Sequence, residues 1–317
     1  MKKALIAAVA LSALSPFGAS AAERTLTISV YAFAQDDFKQ LVYGPFEAKC
    51  GCKLVVETGN SVERLAKMEA NKASPVIDLA AVSMADALAA ADDCLYLKRI
   101  AEQAARRHGL KSTCMAKPYS DHAGSGLHVH ASIVDSQGRN ILDARGGEPK
   151  LLKSVTAGLL DSMRAAQLVF APFANSYRRF QPGSFAPVDL TWGNGHRGTA
   201  IRIPDTDGPA ARIEHRVAGA DANPYLLLAA ILGGMLAGLD RELDPGEETT
   251  PSHTPANTTP LTHDFLSAVE SFRASPFIAD IFGTRYQVLY GDTKRKEAFA
   301  HLRTVSDFDY RTYLPRL

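Results

Sequence analysis

An excess of charge of either sign is missing from this chain. Its 317 residues carry 35 Lys and Arg against 34 Asp and Glu, a formal net charge of +1. Without a basic excess there is no electrostatic footprint for nucleic acid, and no nucleic-acid partner is expected. Cysteine is sparse as well, and four in this length do not make a disulfide scaffold. Cys50 and Cys52 form a Cys-x-Cys pair with no Cys-x-x-Cys beside it. A metal or redox duty needs more ligands than that, so a structural or incidental role is expected for them. No Gly-x-x-x-x-Gly-Lys-Ser/Thr segment occurs, which excludes a phosphate loop of that kind. No apolar run makes a comfortable membrane span: residues 222–239, ANPYLLLAAILGGMLAGL, are broken by glycines and read as a buried helix. What the chain does have is apolar content, 46% of its residues. That suffices for the core of one large or two modest domains and excludes global disorder.

The amino terminus has the order of a processing segment. Lys2 and Lys3 precede the apolar run of residues 4–14, and Pro16, Gly18 and the small residues Ala19-Ser20-Ala21-Ala22 follow. This predicts a secretory signal peptide over residues 1–22 and a periplasmic or secreted location.

Residues 23–96 alternate between strand and helix patterns. TLTISVYAF reads as a strand, and DDFKQLVYGPFEAKCG as a helix interrupted at Gly44-Pro45 and stopped by Gly51. KLVVETG, SVERLAKMEANK and VIDLAAVS read as strand, helix and strand, with a further helix beginning at MADALAAADD. Such alternation implies a parallel sheet. Behind a signal peptide, this order resembles the first lobe of periplasmic solute-binding proteins of polyamine- and iron-type ABC importers. Tyr31, Phe33 and Asp37 would then line a half-cleft for solute; equally, the aromatics are core and Asp37 a helix cap.

From residue 97 the pattern changes. KRIAEQAARRHGL is a helix stopped at Gly109, and Gly124-Ser125-Gly126 makes a permissive turn before the strand LHVHASI. Residues two apart on a strand share a face, so His128 and His130 project together, toward a metal or phosphate or as an ordinary polar face. Arginines then recur in short segments: Arg179 in NSYRRFQPGSFAP, Arg197 and Arg202 in WGNGHRGTAIRIP, and Arg212 and Arg216 flanking Glu214 at spacing two. Guanidinium groups suit a forked grip on carboxylate or phosphate oxygens.

These stretches, with MAKPYSDHAGSGLHVH and the tail LTHDFLSAVESFRASPFIADIFG, carry a second resemblance. Residues 97–317, about 70% of the chain, look like the carboxyl-terminal catalytic part of the glutamine synthetase family, most of all its γ-glutamylpolyamine-forming branch. The resemblance implies ATP-dependent ligation of the glutamate side chain to an amine, with ATP and Mg²⁺ or Mn²⁺ as cofactors, in a cytoplasmic ring homo-oligomer. It makes His128 and Glu214 metal ligands and places His130, Arg197, Arg202 and Arg212 at the nucleotide. Gly124 and Arg179 would hold glutamate, with Arg216 at the reacting carboxylate and Arg197 and Arg216 as the catalytic pair. The expected fold is α+β: a partial antiparallel sheet with strands near 127–134, 186–192, 199–204 and 211–217, flanked by helices, behind the small α/β lobe.

Four positions depart from the family pattern. Phe185 replaces a glutamate used for ammonia, which favours a larger amine; His196, Cys114 and Asp309 replace Asn, Phe and Glu. The family's small β-domain and the first half of its catalytic domain have no counterpart, and no Glu-x-Glu pair occurs. The expectation is therefore an inactive chimera joined near residues 94–98, with pieces of a solute-binding protein and of a ligase, and without the parts for a ring.

Overall fold

The computed structural model describes residues 24–30, 35–58, 67, 70–71, 79–80, 87–135, 139–143, 149–205 and 208–316. The expected leader, the side chains of Tyr31, Phe33 and Asp37, and most of the helix expected over 61–72 lie outside this description. The chain divides into two units, Met1–Val82 and Ser83–Leu317.

In the first unit, β1 (Arg24–Val30) pairs in parallel with β2 (Cys52–Thr58) from Arg24↔Cys52 to Val30↔Thr58. β3 (Leu79–Ala80) joins the other side of β1 at Ile28↔Leu79, giving the order β2-β1-β3. The helical crossover is α1 (Gln35–Phe38), a π-helical segment (Lys39–Tyr43) and α2 (Gly44–Cys50). Proline lacks an N–H and crowds the preceding turn, so the wide turn ahead of Pro45 is the physical form of the expected interruption. Gly51 ends α2 in the left-handed region at φ 59°, donating its N–H to the Glu47 carbonyl. Cys52 is disulfide-bonded.

The second unit opens with α3 (Ala87–Arg107), an unbroken helix that contains the whole of residues 94–98. It stops at Gly109, φ 67°, where Leu110 N–H reaches back to the Ala105 carbonyl at 2.8 Å. A four-stranded sheet follows, of β4 (Val129–Ala131), β5 (Trp192–Asn194), β6 (Ile201–Asp205) and β7 (Arg212–His215) in the order β4-β7-β6-β5. β7 is antiparallel to both neighbours, but β5 and β6 are parallel, so the sheet is mixed where an antiparallel one was expected. The connection 195–200 coils tightly, with Thr199 Oγ1 donating to the His196 carbonyl and Gly198 N–H to His196 Nδ1, and returns the chain in the same sense.

The helices are α4 (Pro149–Phe170), α5 (Pro224–Asp240), α6 (Phe265–Ala274), α7 (Pro276–Phe282), α8 (Thr284–Leu302) and α9 (Asp307–Thr312). Ile201, Ile203 and Ile213 on one sheet face pack with Leu159, Met163 and Leu168 of α4 and Leu227 and Ile231 of α5. α4 and α5 approach backbone to backbone: a Cβ on Gly158 would stand 2.2 Å from the Gly234 carbonyl oxygen, and one on Gly238 2.1 Å from that of Ser154. Glycine is the residue that permits such contact. α5 buries one face and exposes Leu232 and Leu236 on the other, so the expected burial is one-sided. Among the described residues no helix is long and apolar enough to cross a membrane.

Candidate functional site

The sheet face opposite the core is polar, and strand register assembles it. His130 pairs with Glu214 across β4 and β7, and Glu214 with Arg202 across β7 and β6. Glu214, 3% exposed, is the hub. Its Oε1 lies 2.5 Å from Arg216 Nη1, 3.0 Å from His128 Nδ1 and 4.0 Å from His130 Nε2, and its Oε2 lies 2.8 Å from Arg202 Nη1. Burial pushes the Glu214 carboxyl up, but hydrogen bonds to His128 and Arg202 and the charge of Arg216 outweigh it and hold the group well below the usual carboxylate range. Backbone oxygens fix the outer guanidiniums: Arg202 Nε donates to the Gly195 carbonyl at 3.2 Å and Arg212 Nη1 to that of Ala210 at 2.7 Å. Arg212 Nε reaches His130 Nδ1 at 3.3 Å, and burial lowers the His130 pKa.

Arg179 lies in a second cluster. A Cβ on Gly124 would stand 2.7 Å from Arg179 Cγ and 2.6 Å from the Ala116 carbonyl oxygen; one on Gly219 would meet Arg179 Nη1 at 3.2 Å and Asp221 Oδ1 at 2.3 Å. Arg179 is thus sheathed by glycine backbone, with Nη1 donating to the Val217 carbonyl. Burial lowers its pKa against the opposing pull of Asp221. Asp221 accepts from Ser176 Oγ at 2.6 Å and keeps Oδ1 buried without a partner. Burial raises the Asp221 carboxyl. Ser176 and Asp221 were missed by sequence reasoning; the small residues around Asp221 in AGADAN were the one signal of a close approach there.

The structure therefore brings His128, His130, Arg202, Arg212, Glu214 and Arg216 together, and Gly124 with Arg179. Arg197 stands apart, exposed in the 195–200 turn with no hydrogen bond or ion pair among the described residues. Phe185 is 85% exposed in the loop beyond Arg179. His215, adjacent to the hub, points the other way into the core against Phe170, ring centroids 4.4 Å apart.

A divalent metal tests this donor set and does not fit it. Hard divalent cations want several oxygen ligands. Both oxygens of Glu214 already accept from cationic groups, and among the described residues no three His, Cys, Asp or Glu side chains form a metal-holding group.

The model of the glutamine synthetase catalytic domain matches residues 52–313 of this chain. The chain belongs to the glutamine synthetase family. It is similar to γ-glutamylputrescine synthetase PuuA of Escherichia coli, 41% identical over 221 residues, which cover 69% of this chain and 47% of that protein. γ-Glutamylethanolamide synthetase GlnA4 of Streptomyces coelicolor is 32% identical over 232 residues, with 73% of this chain and 50% of that protein covered. A solved structure described as a GmaS/ADP complex superposes with a TM-score of 0.67 at 30% identity, over 73% of this chain and 55% of that one. The chain thus spans about half the length of the relatives it matches.

Proposed function

We propose that this chain carries the glutamate- and nucleotide-facing surface of a ligase that joins the side-chain carboxylate of glutamate to an amine. The observation that carries this reading is the Glu214 hub with Arg202 and Arg216 fixed on it and Arg212 held through His130. In the proposed reaction a carboxylate oxygen of glutamate attacks the terminal phosphorus of ATP, ADP leaves, and the amine nitrogen displaces phosphate from the acyl phosphate. Guanidinium groups suit the charge that develops on phosphoryl oxygens. Arg202, Arg212 and His130 would face the nucleotide, Arg216 the reacting carboxylate, and Arg179, in its glycine sheath, the rest of glutamate. Arg197, exposed at the rim, is free to close on the nucleotide. The family's divalent ion would neutralise phosphate charge, but this donor set does not fit it.

The amine is proposed to be larger than ammonia. Phe185 sets an apolar ring in the loop after Arg179, and relatives at 41% and 32% identity are named for putrescine and ethanolamide products. The chain by itself is proposed not to turn over, since its one carboxylate at the hub is committed to arginines. The test is phosphate release with ATP, Mg²⁺ or Mn²⁺, glutamate and putrescine, beside Glu214→Ala. Glutamate-dependent turnover that vanishes in the variant sinks the inactivity. Calorimetry with ADP and glutamate tests the binding surface: no heat with either, for a folded chain, sinks that.

Export is proposed from the order of Lys2-Lys3, the apolar run and the small-residue exit. Fractionation of expressing cells checks it, and a chain retained whole in the cytoplasm counts against it.

A further inference from the structure

The Glu214 hub is closed by its own neighbours. Two guanidiniums and two imidazoles surround one carboxylate, and a third guanidinium, Arg212, lies behind His130, so the face is rich in cations before any ligand arrives. A metal ion at Glu214 would have to displace Arg202 from Oε2, or Arg216 and His128 from Oε1, and then sit among the cations it displaced. It would gain one carboxylate and at most two imidazoles, a set that binds oxygen-seeking divalent ions weakly. The arginines, by contrast, lack nothing that a metal supplies. Arg202 and Arg212 are tied to backbone carbonyls as well as to side chains. Arg216 is 6% exposed, and its Nε is a buried donor with no partner. An orphaned donor beside a cationic cluster asks for an acceptor, and a phosphate oxygen satisfies both the hydrogen bond and the charge.

We propose that Glu214 is a positioning residue for Arg202 and Arg216, and that this face takes a phosphate-rich anion directly, without a divalent ion. The carboxylate neutralises part of the mutual repulsion of the guanidiniums and aims them, leaving their remaining N–H groups for the ligand. The proposal deepens the nucleotide-facing reading given above and rests on it for the identity of the face, but its content is the absence of a metal requirement.

The experiment uses the full chain, with inorganic pyrophosphate as the anion and Mn²⁺ as the metal. Calorimetry with pyrophosphate is run in EDTA and in excess Mn²⁺, and Mn²⁺ alone is followed by its paramagnetic resonance signal. The expected result is equal pyrophosphate affinity in both buffers and no loss of the free Mn²⁺ signal on adding protein. Glu214→Gln removes a negative charge from the face while backbone carbonyls still hold Arg202 and Arg212. Because Gln no longer aims Arg202 and Arg216 through charge-assisted bonds, it is nevertheless expected to weaken pyrophosphate binding several-fold in EDTA, where a glutamate serving only as a metal ligand would, on losing its charge, leave binding unchanged or tighter. Circular dichroism confirms that the variant folds, and the comparison of buffers needs no variant at all. Pyrophosphate binding that requires Mn²⁺, or Mn²⁺ captured by the chain and released in Glu214→Gln, overturns this inference and leaves the nucleotide-facing reading standing. No pyrophosphate binding in either buffer overturns both.

Discussion

His215 carries both ring nitrogens into the core with no hydrogen-bond partner for either. Burial, helped by the charge of His128, pushes its pKa down from 6.5 to about 3. The folded chain therefore keeps this ring neutral where the unfolded chain protonates it. Below about pH 6.5 the unfolded state binds the extra proton, so the contribution of His215 is full above that pH and is lost as pH falls toward 3. His215→Phe is expected to flatten this acid limb in urea titrations run at several pH values. An acid limb as steep as that of the parent chain would show that other groups set it. At Gly124 the limit is steric. A methyl group there would collide with the Ala116 carbonyl and with Arg179, so Gly124→Ala is expected to lose about 1–3 kcal/mol of stability and to weaken the proposed glutamate binding together. Denaturant titration and calorimetry check the two halves. Much of the polar cluster was legible at this scale, because spacing two on a strand already puts Arg212, Glu214 and Arg216 on one face. What the spacing omits is what each neighbour across the strands supplies. Asp221 and Ser176 become partners only through the fold, and Arg197 stays apart because its turn carries it outward.

The helices α4 and α5 cross where Gly158, Gly234 and Gly238 let the two backbones meet. Gly238→Leu would drive a side chain into the Ser154 carbonyl and is expected to cost roughly 3 kcal/mol or more, read as a lower urea midpoint. A midpoint within error of the parent would mean that the two helices can slide apart. The glycines of α5 were visible as breaks in an apolar run; that they are the contact itself is a property of two helices together. Strands fared unevenly for similar reasons. β6 and β7 fall within about two residues of the ranges their β-branched and alternating patterns suggest. The strand expected over 186–192 starts only at Trp192. Pro187 has no N–H to give a ladder, and the segment makes separate bonds instead, Leu190 N–H to the Thr259 carbonyl and Leu261 N–H to that of Val188. The parallel pairing of β5 with β6 was not legible, because it depends on how six loop residues coil. Asp309 is accounted for locally: it closes a capping box with Ser306 at the start of α9.

The molecule as a whole divides at Val82/Ser83, and the core cluster is drawn entirely from residues 142–298. A fragment of residues 83–317 is therefore expected to unfold in one cooperative transition with the urea midpoint of the main transition of the full chain. Loss of that transition in the fragment would mean that residues 1–82 complete the larger core. The parallel layer of β1–β3 and the polar face of β4–β7 were both readable in outline, since strand–helix alternation and strand-face chemistry are local signals. The expected join near residues 94–98 has no linker in the sequence, and those residues lie inside α3.

A helix is a screw, and α3 transmits phase. Each residue advances the thread by about 100°. At its carboxyl-terminal side Lys98 Nζ must meet the Ala222 carbonyl at 3.1 Å, and at its amino-terminal side Asp92 must meet the Tyr225 hydroxyl. Inserting one residue between Asp92 and Lys98 would turn one of these contacts about a quarter-turn away from α5, whereas inserting a whole turn of three or four would return it to the same side. A change of length in this stretch is therefore read twice, once in the sequence and once in the pitch of the helix.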